Sequence, residues 1–99
     1  MNVTVKKEDD SCILMIEGRI DTLTAPELEK IFQENSDGCS TMIFEMSGVE
    51  YISSAGIRVL VSSHRRMEKE GILILKGICP DVLSILKMTG LDNRLNVEP

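Results

Sequence analysis

Three short apolar runs along the chain predict its central strands. They cover residues 12–16, 41–46 and 72–75, and each is flanked by glycine or polar residues. Runs of four to six residues are too short for a buried helix and are typical of strands inside a sheet. Gly18, which closely follows the first run, is predicted to end that strand.

Two weaker patterns predict the edges of the sheet. Val3 and Val5 alternate with polar residues, which predicts a half-exposed strand over residues 2–7 that pairs with the first apolar run as a hairpin. Near the other end of the chain, Leu95 and Val97 predict a final edge strand.

A helix with start and stop signals is predicted between the first two apolar runs. Thr24 stands three residues before Glu27, a spacing that fits a capping box in which Thr24 caps the helix. Asp37 and Gly38 mark its end. Its apolar stripe consists of Leu28, Ile31 and Phe32.

A longer amphipathic segment after the second apolar run predicts a second helix. Ser53 or Ser54 is placed to cap it, after a polar link over residues 47–50, and Gly71 is placed to stop it. Its apolar stripe consists of Ile57, Leu60, Val61 and Met67.

A short third helix, which starts at Pro80 and is followed by Gly90, completes the predicted order β-β-α-β-α-β-α. Strands joined by helices run parallel through right-handed crossovers, whereas the first hairpin is antiparallel. The sequence therefore predicts a single α/β domain over residues 1–99, with a small mixed, mostly parallel sheet.

The composition limits the kinds of partner that the chain can bind. Its 99 residues are 42% hydrophobic and carry a formal net charge of −5. This charge opposes the phosphate neutralisation on which nonspecific nucleic-acid binding depends, and it opposes binding to an anionic membrane. We therefore expect protein partners, no nucleic acid and no membrane. The charge and the lack of a broad apolar face in the pattern favour a monomer.

The cysteines and the N-terminus indicate a reducing compartment. Cys12, Cys39 and Cys79 are odd in number and far apart, which predicts reduced thiols and argues against a zinc site. The first ten residues contain no apolar signal segment, and no apolar run approaches the roughly 18 residues of a membrane span. These features predict a cytoplasmic protein.

No sequence pattern predicts catalysis or a cofactor. The phosphate-binding loop, the dinucleotide fingerprint and the nucleophile elbow are missing from the sequence. The single histidine, His64, lies about 15 Å along the same predicted helix from Ser53 and Ser54, which therefore lack a triad base. We expect no enzyme activity, no catalytic residue, no metal and no cofactor.

Residues 51–58 carry the strongest functional signal, because they place two serines at the start of the second helix. One interpretation is that Ser53 or Ser54 only caps the helix. The other is a phosphorylation switch, because a helix N-terminus favours a phosphate and Arg58 lies one turn after Ser54. A phosphate charge of about −1.5 to −2 would repel a partner fitted to a neutral hydroxyl.

Three segments resemble the STAS domain of bacterial anti-sigma factor antagonists. Residues 17–21 resemble the Gly-x-hydrophobic-Asp segment after the family's second strand, residues 44–57 its strand-loop-helix signature, and residues 86–91 the end of its last helix. The resemblance covers essentially the whole chain. It implies the STAS fold, whose element order agrees with the predicted one.

The resemblance also implies a site. The family's phosphorylated serine stands two residues before the motif glycine, which here makes Ser54 the acceptor before Gly56. Ser53 replaces an Asp that many members carry and offers a second hydroxyl, while Glu45 replaces a frequent Asp in the preceding strand. The implied contact surface contains Asp21, Ser53, Ser54, Gly56, Ile57 and Arg58.

Each of these positions also has a purely structural interpretation. Asp21 fits a turn aspartate, and Gly56 fits a glycine required by tight helix packing. Ile57 fits a core residue of the helix stripe, and Arg58 fits an exposed helix charge.

Membership of the family would imply a partner-switching cycle. The dephosphorylated protein binds a serine-kinase anti-sigma factor with an ATPase fold, and the sigma factor is freed. The kinase then phosphorylates the antagonist and releases it, and a metal-dependent PPM-type phosphatase resets it. ATP and metal would belong to these partners.

Two other functions are compatible with the residues. A STAS module of a scaffold or membrane-transport system would share the fold and would never be phosphorylated. A small hydrolase using Ser53 or Ser54 would need a base and an oxyanion donor, and the sequence indicates neither.

Overall fold

The computed structural model describes residues 1–98, which form one five-stranded sheet and three α-helices. The strands are β1 (Asn2–Glu8), β2 (Ser11–Ile20), β3 (Thr41–Ile52), β4 (Ile72–Lys76) and β5 (Asn96–Glu98). The helices are α1 (Ala25–Ser36), α2 (Ser54–Glu68) and α3 (Pro80–Met88), and a short 3-10 turn (Leu91–Asn93) precedes β5. Within residues 1–98, no helix combines the length and the apolar character that crossing a bilayer requires.

The strands lie side by side in chain order, β1-β2-β3-β4-β5. β1 pairs antiparallel with β2, and every other neighbouring pair is parallel. The predicted mixed, mostly parallel α/β fold is confirmed, including the hairpin and the edge strand near the end of the chain. Because the strand order advances by one at each parallel crossover, right-handed connections place all three helices on the same face of the sheet.

The core lies between that face and the helices. Leu14, Phe44 and Leu75 stand opposite one another on β2, β3 and β4, and each is buried. Phe32 of α1 packs edge-on against Phe44 with ring centroids 5.9 Å apart. Such apolar contacts hold the helices on the sheet.

Two strands are longer than the sequence pattern predicts. β2 does not end at Gly18, which adopts a φ of +100° inside the strand, and β3 continues through the segment expected to be a polar link after Met46. After two shifts in register, the two strands keep pairing as far as Ile20 and Ile52. Cross-strand pairing and the burial of these two isoleucines override the polar composition.

The N-terminus of α1 also differs from the prediction. Thr24 occupies the cap position, but its side chain makes no capping hydrogen bond. Its hydroxyl instead accepts a hydrogen bond from the backbone N–H of Asp21 at 2.9 Å and donates one to the carbonyl of Arg19 at 2.8 Å. The expected capping box is therefore wrong, because the threonine closes the preceding loop.

The buried stripe of α2 is displaced from the predicted one. Leu60 and Met67 are buried as expected, whereas Ile57 and Val61 are only half-buried. The remaining buried positions of the helix are Gly56, Val59 and Ser63. Two of these are small, and they let α2 approach the sheet closely, which a search for large apolar residues does not detect.

Candidate functional site

Two loops meet where the parallel strands β2 and β3 end. Ile20 and Ile52 are paired as the last residues of these strands, and the backbone N–H of Ser53 donates to the carbonyl of Ile20 at 2.8 Å. The loop that begins at Asp21 therefore lies beside the start of α2. The pairing brings together the Asp21 segment and the two serines, as the predicted site requires.

Ser53 is the residue that caps α2. Its backbone is extended, its carbonyl accepts from the N–H of Ile57 at 2.9 Å, and its Oγ accepts from the N–H of Gly56 at 3.3 Å. The side chain is half-buried. Because the cap occupies this hydroxyl, Ser53 is the less available of the two serines for modification.

Ser54 is the first residue of α2, and its side chain is exposed. Within the described residues, its hydroxyl makes no hydrogen bond to the protein. It sits at the positive end of a 15-residue helix, where backbone N–H groups lack helical partners. The geometry gives this hydroxyl both access to solvent and an environment that favours negative charge.

Asp21 forms a tight turn before α1. Its Oδ1 accepts hydrogen bonds from the backbone N–H groups of Leu23, at 2.9 Å, and Thr24, at 3.0 Å. The bond from the Thr24 N–H lowers the pKa of this carboxyl below its ordinary value, and the bond from Leu23 adds to the shift. The carboxylate is therefore fixed in orientation, on a half-buried residue in the loop that lies beside the start of α2.

Gly56 allows α2 to contact the ends of both strands. A Cβ at this position would lie 2.6 Å from Cγ1 of Ile52, 2.7 Å from Cγ2 of Ile20 and 3.1 Å from the Ile20 carbonyl oxygen. These atoms belong to stiff β-branched side chains and to backbone, so they cannot move aside easily. Gly56 is buried, and it contributes to the site by setting the position of the serines.

Ile57 and Arg58 face away from the sheet into a groove between α1 and α2. Ile57 is half-buried and also packs against the core, and Arg58 is exposed one turn after Ser54. The Arg58 guanidinium can therefore reach towards a charge on the exposed end of α2 or towards a partner.

Leu23, whose N–H donates to the Asp21 carboxylate, was not predicted as a site residue. Its side chain is 87% exposed, although leucine is one of the residues most often buried. The signal was present, because this leucine lies outside every strand run and helix stripe. Its place beside the Asp21 turn makes Leu23 a candidate contact residue.

The surroundings of the serines offer little for hydrolysis. His64 lies on α2 itself, with Nε2 3.7 Å from a carboxylate oxygen of Glu68. Among residues 1–98, no three His, Cys, Asp or Glu side chains come close enough to share a metal ion. The arrangement presents one exposed hydroxyl, one oriented carboxylate and one exposed arginine to a partner.

The chain is similar to known proteins over its whole length. The family model described as "STAS domain" matches residues 2–99. The anti-sigma-B factor antagonist of Bacillus subtilis is 28% identical over 99 residues, which cover 98% of this chain and 90% of that protein.

Solved structures give the same result. An anti-sigma factor antagonist from Mycobacterium paratuberculosis has a TM-score of 0.89 and 25% identity, over 99% of this chain and 85% of that one. The phosphorylated form of the Bacillus cell fate determinant SpoIIAA has a TM-score of 0.76 and 14% identity, over 99% and 92%. At that identity, the second likeness concerns the fold alone.

Proposed function

The chain belongs to the STAS domain family, and on that premise we propose that it is an anti-sigma factor antagonist that works as a phosphorylatable binding switch. In its dephosphorylated form it binds and sequesters a serine-kinase anti-sigma factor, which releases the target of that factor. Phosphorylation of Ser54 ends the binding. Relatives named as anti-sigma factor antagonists support the role, and the exposed, unbonded hydroxyl of Ser54 carries the switch.

The choice of Ser54 over Ser53 rests on what each hydroxyl does. Ser53 accepts the capping hydrogen bond from Gly56, so a phosphate there would have to displace the cap. A phosphate on Ser54 would not have to displace the cap. A phosphate on Ser54 would lie at the N-terminal end of α2 with Arg58 one turn away.

Phosphorylation would act on the binding surface directly. The modification adds a charge of about −1.5 to −2 to a surface that otherwise presents a small neutral hydroxyl. We propose that this surface comprises Asp21, Ser53, Ser54, Ile57 and Arg58, together with Leu23. Gly56, which was expected in the contact surface, is buried and supports the surface by setting the position of the serines. A penalty of about 2.8 kcal/mol would weaken binding roughly a hundredfold, which is enough to release the partner.

The proposed partners supply the chemistry that this chain lacks. The anti-sigma factor is a kinase with an ATPase fold that brings ATP, and a PPM-type phosphatase with its own metal removes the phosphate. The chain itself contributes an acceptor hydroxyl and a complementary surface, so it needs no cofactor of its own.

The test is a capture experiment from the native cell extract with three baits: wild type, Ser54→Asp and Ser84→Asp. Ser84 is exposed on α3, so its substitution adds the same charge away from the site. Wild type and Ser84→Asp are expected to capture a serine kinase, and Ser54→Asp is expected to lose it at least tenfold. Intact-mass analysis of the endogenous protein is expected to show one added phosphate, and fragmentation of its peptides is expected to place that phosphate on Ser54.

Two results would contradict the proposal. Equal capture of the kinase by wild type and Ser54→Asp would show that a negative charge at position 54 does not prevent binding, which contradicts the phosphorylation switch. Capture of membrane or scaffold proteins by all three baits, with no phosphate on the endogenous protein, would instead identify a transport-associated or scaffold STAS domain.

A further inference from the structure

A groove between α1 and α2 has a volume of about 890 Å³. Its apolar lining includes Pro26 of α1 and Ile57 and Val61 of α2. Ile57 and Val61 were expected in the core but are only half-buried, because they face this groove. The α1–α2 groove begins beside the serines and continues to the other end of α2.

The charged lining of the α1–α2 groove is strongly asymmetric. Arg58, Arg65, Arg66 and Lys69 line it, whereas Glu29 is its only acidic lining residue in the described part of the chain. An excess of positive over negative side chains is unusual in this acidic molecule. Residues 54–69 hold four cations and one anion, so the remaining residues of a chain with net charge −5 carry −8.

Most of these cations have no internal partner. Arg66 contacts Asp37 at 3.3 Å, and both side chains are at least half exposed, so this pair contributes little. Arg58, Arg65 and Lys69 form no salt bridge with any residue that the structure describes. Three exposed cations on an acidic molecule are therefore available to an outside group.

The free cations continue the stripe that Ser54 begins. Arg58 follows Ser54 by four residues, Arg65 follows Arg58 by seven, and Lys69 follows Arg65 by four. At 3.6 residues per turn these spacings keep the side chains on one face of the helix over about 22 Å. The α1–α2 groove thus presents apolar contacts along its floor and a row of positive charge along one wall.

We propose that the α1–α2 groove binds an acidic amphipathic segment of the anti-sigma partner, which lies along α2 from Ser54 to Lys69. The inference rests on the proposed function, because it identifies the chemistry by which that partner is recognised. Apolar side chains of the segment contact Ile57 and Val61, and its carboxylates pair with Arg58, Arg65 and Lys69. Helices commonly bind grooves in this way.

This arrangement gives phosphorylation a second effect. A phosphate on Ser54 stands at one end of the cationic stripe, one turn from Arg58. It competes with the partner's carboxylates for that arginine and reduces the positive potential of the α1–α2 groove. Release of the partner then follows from lost attraction as well as from repulsion at the serine.

The experiment uses the purified serine kinase identified by the capture experiment and measures its association rate and Kd against salt concentration. The test variant is Arg65→Glu/Lys69→Glu, which lies three to four helical turns from Ser54. The control is Lys6→Glu/Lys87→Glu, which makes the same charge change at two exposed sites outside the α1–α2 groove. Thermal unfolding of each variant reports whether it is folded.

We expect the test variant to weaken binding at least tenfold, mainly through slower association, and to show a flatter salt dependence. We expect the control to change the Kd less than threefold. Arg65→Gln/Lys69→Gln should give an intermediate loss, and it replaces the Glu variant in the test if that protein does not fold.

The possible failures can be distinguished. If the kinase binds wild type and the test variant as well as it binds the control, the α1–α2 groove proposal is overturned while the antagonist function stands. If wild type binds no serine kinase at all, the proposed function is wrong and the α1–α2 groove proposal falls with it.

Discussion

At the scale of single residues, the candidate site combines functional and structural demands at adjacent positions. Ser53 caps a helix and Ser54 is exposed, although the two have the same side chain. The residue pattern left both serines open as the cap, and the family resemblance named Ser54 as the acceptor. The backbone geometry identifies Ser53 as the cap, because a cap is defined by an extended conformation and a hydrogen bond that composition does not specify.

Gly56→Ala is expected to destabilise the protein even though alanine favours helices. The new methyl would lie within 2.7 Å of atoms of Ile20 and Ile52, and overpacking of this kind costs about 1–3 kcal/mol. The better helix propensity of alanine offsets about 1 kcal/mol of this cost. Urea denaturation should show a net loss of up to about 2 kcal/mol, and a higher midpoint would contradict the tight contact.

Asp21 is expected to make stability depend on pH in the acidic range. Its pKa is lowered in the folded state by hydrogen bonds from Thr24 and Leu23, so its contribution is fully present above the unfolded pKa of about 4. The contribution is lost as pH falls through the lower, folded pKa. Denaturation of wild type and Asp21→Asn between pH 7 and pH 2 tests this.

The stability difference between these two proteins should be constant from pH 7 to about pH 5 and should shrink below that. A difference that grows as the solution is acidified would show that the carboxyl is not held in its charged form. A carbon-13 titration of the Asp21 carboxyl checks the pKa direction independently.

At the scale of elements, the helices and the central strands were predictable, whereas the ends of β2 and β3 were not. The apolar runs identified β2, β3 and β4, and the position of Gly90, whose φ is +74°, correctly marked the end of α3. The extensions of β2 and β3 depend on pairing between strands that are distant in sequence. Local composition does not predict such pairing.

The dependence on packing between distant segments also explains which features of the site were not predicted. The exposure of Leu23 and the groove-facing position of Val61 depend on how α1 packs beside α2. Hydrophobic periodicity gives the number of apolar faces on a helix, but it does not say whether a neighbour leaves part of one face open.

The cap of α2 gives a prediction at this scale. Ser53→Ala is expected to lower stability by about 1 kcal/mol, because the N–H of Gly56 loses its acceptor at the helix start. Ser54→Ala, one residue later, removes a hydroxyl with no bond in the described structure and should change stability by less than about 0.5 kcal/mol. Chemical denaturation of both variants makes the comparison, and equal losses would contradict the assignment of the cap.

At the scale of the whole molecule, the one-sided placement of the helices leaves the other face of the sheet uncovered. Ile13, Ile43 and Ile74 form a row across β2, β3 and β4 on that face, and all three are half-buried. The apolar row was not anticipated, because a short continuous apolar run does not reveal which of its residues face a helix.

The uncovered face is nevertheless expected to leave the protein monomeric. Charged side chains interrupt it in the next row, where Glu45 pairs in register with Lys76, and Lys76 contacts Glu98 at 3.7 Å. Stacking two such faces would remove these charges from water without new partners, which opposes association, and the net charge of −5 adds repulsion between copies. Sedimentation velocity from about 1 to 100 μM should show one species of monomer mass. A concentration-dependent dimer that Ile43→Glu abolishes would show instead that the isoleucine row outweighs the charges around it.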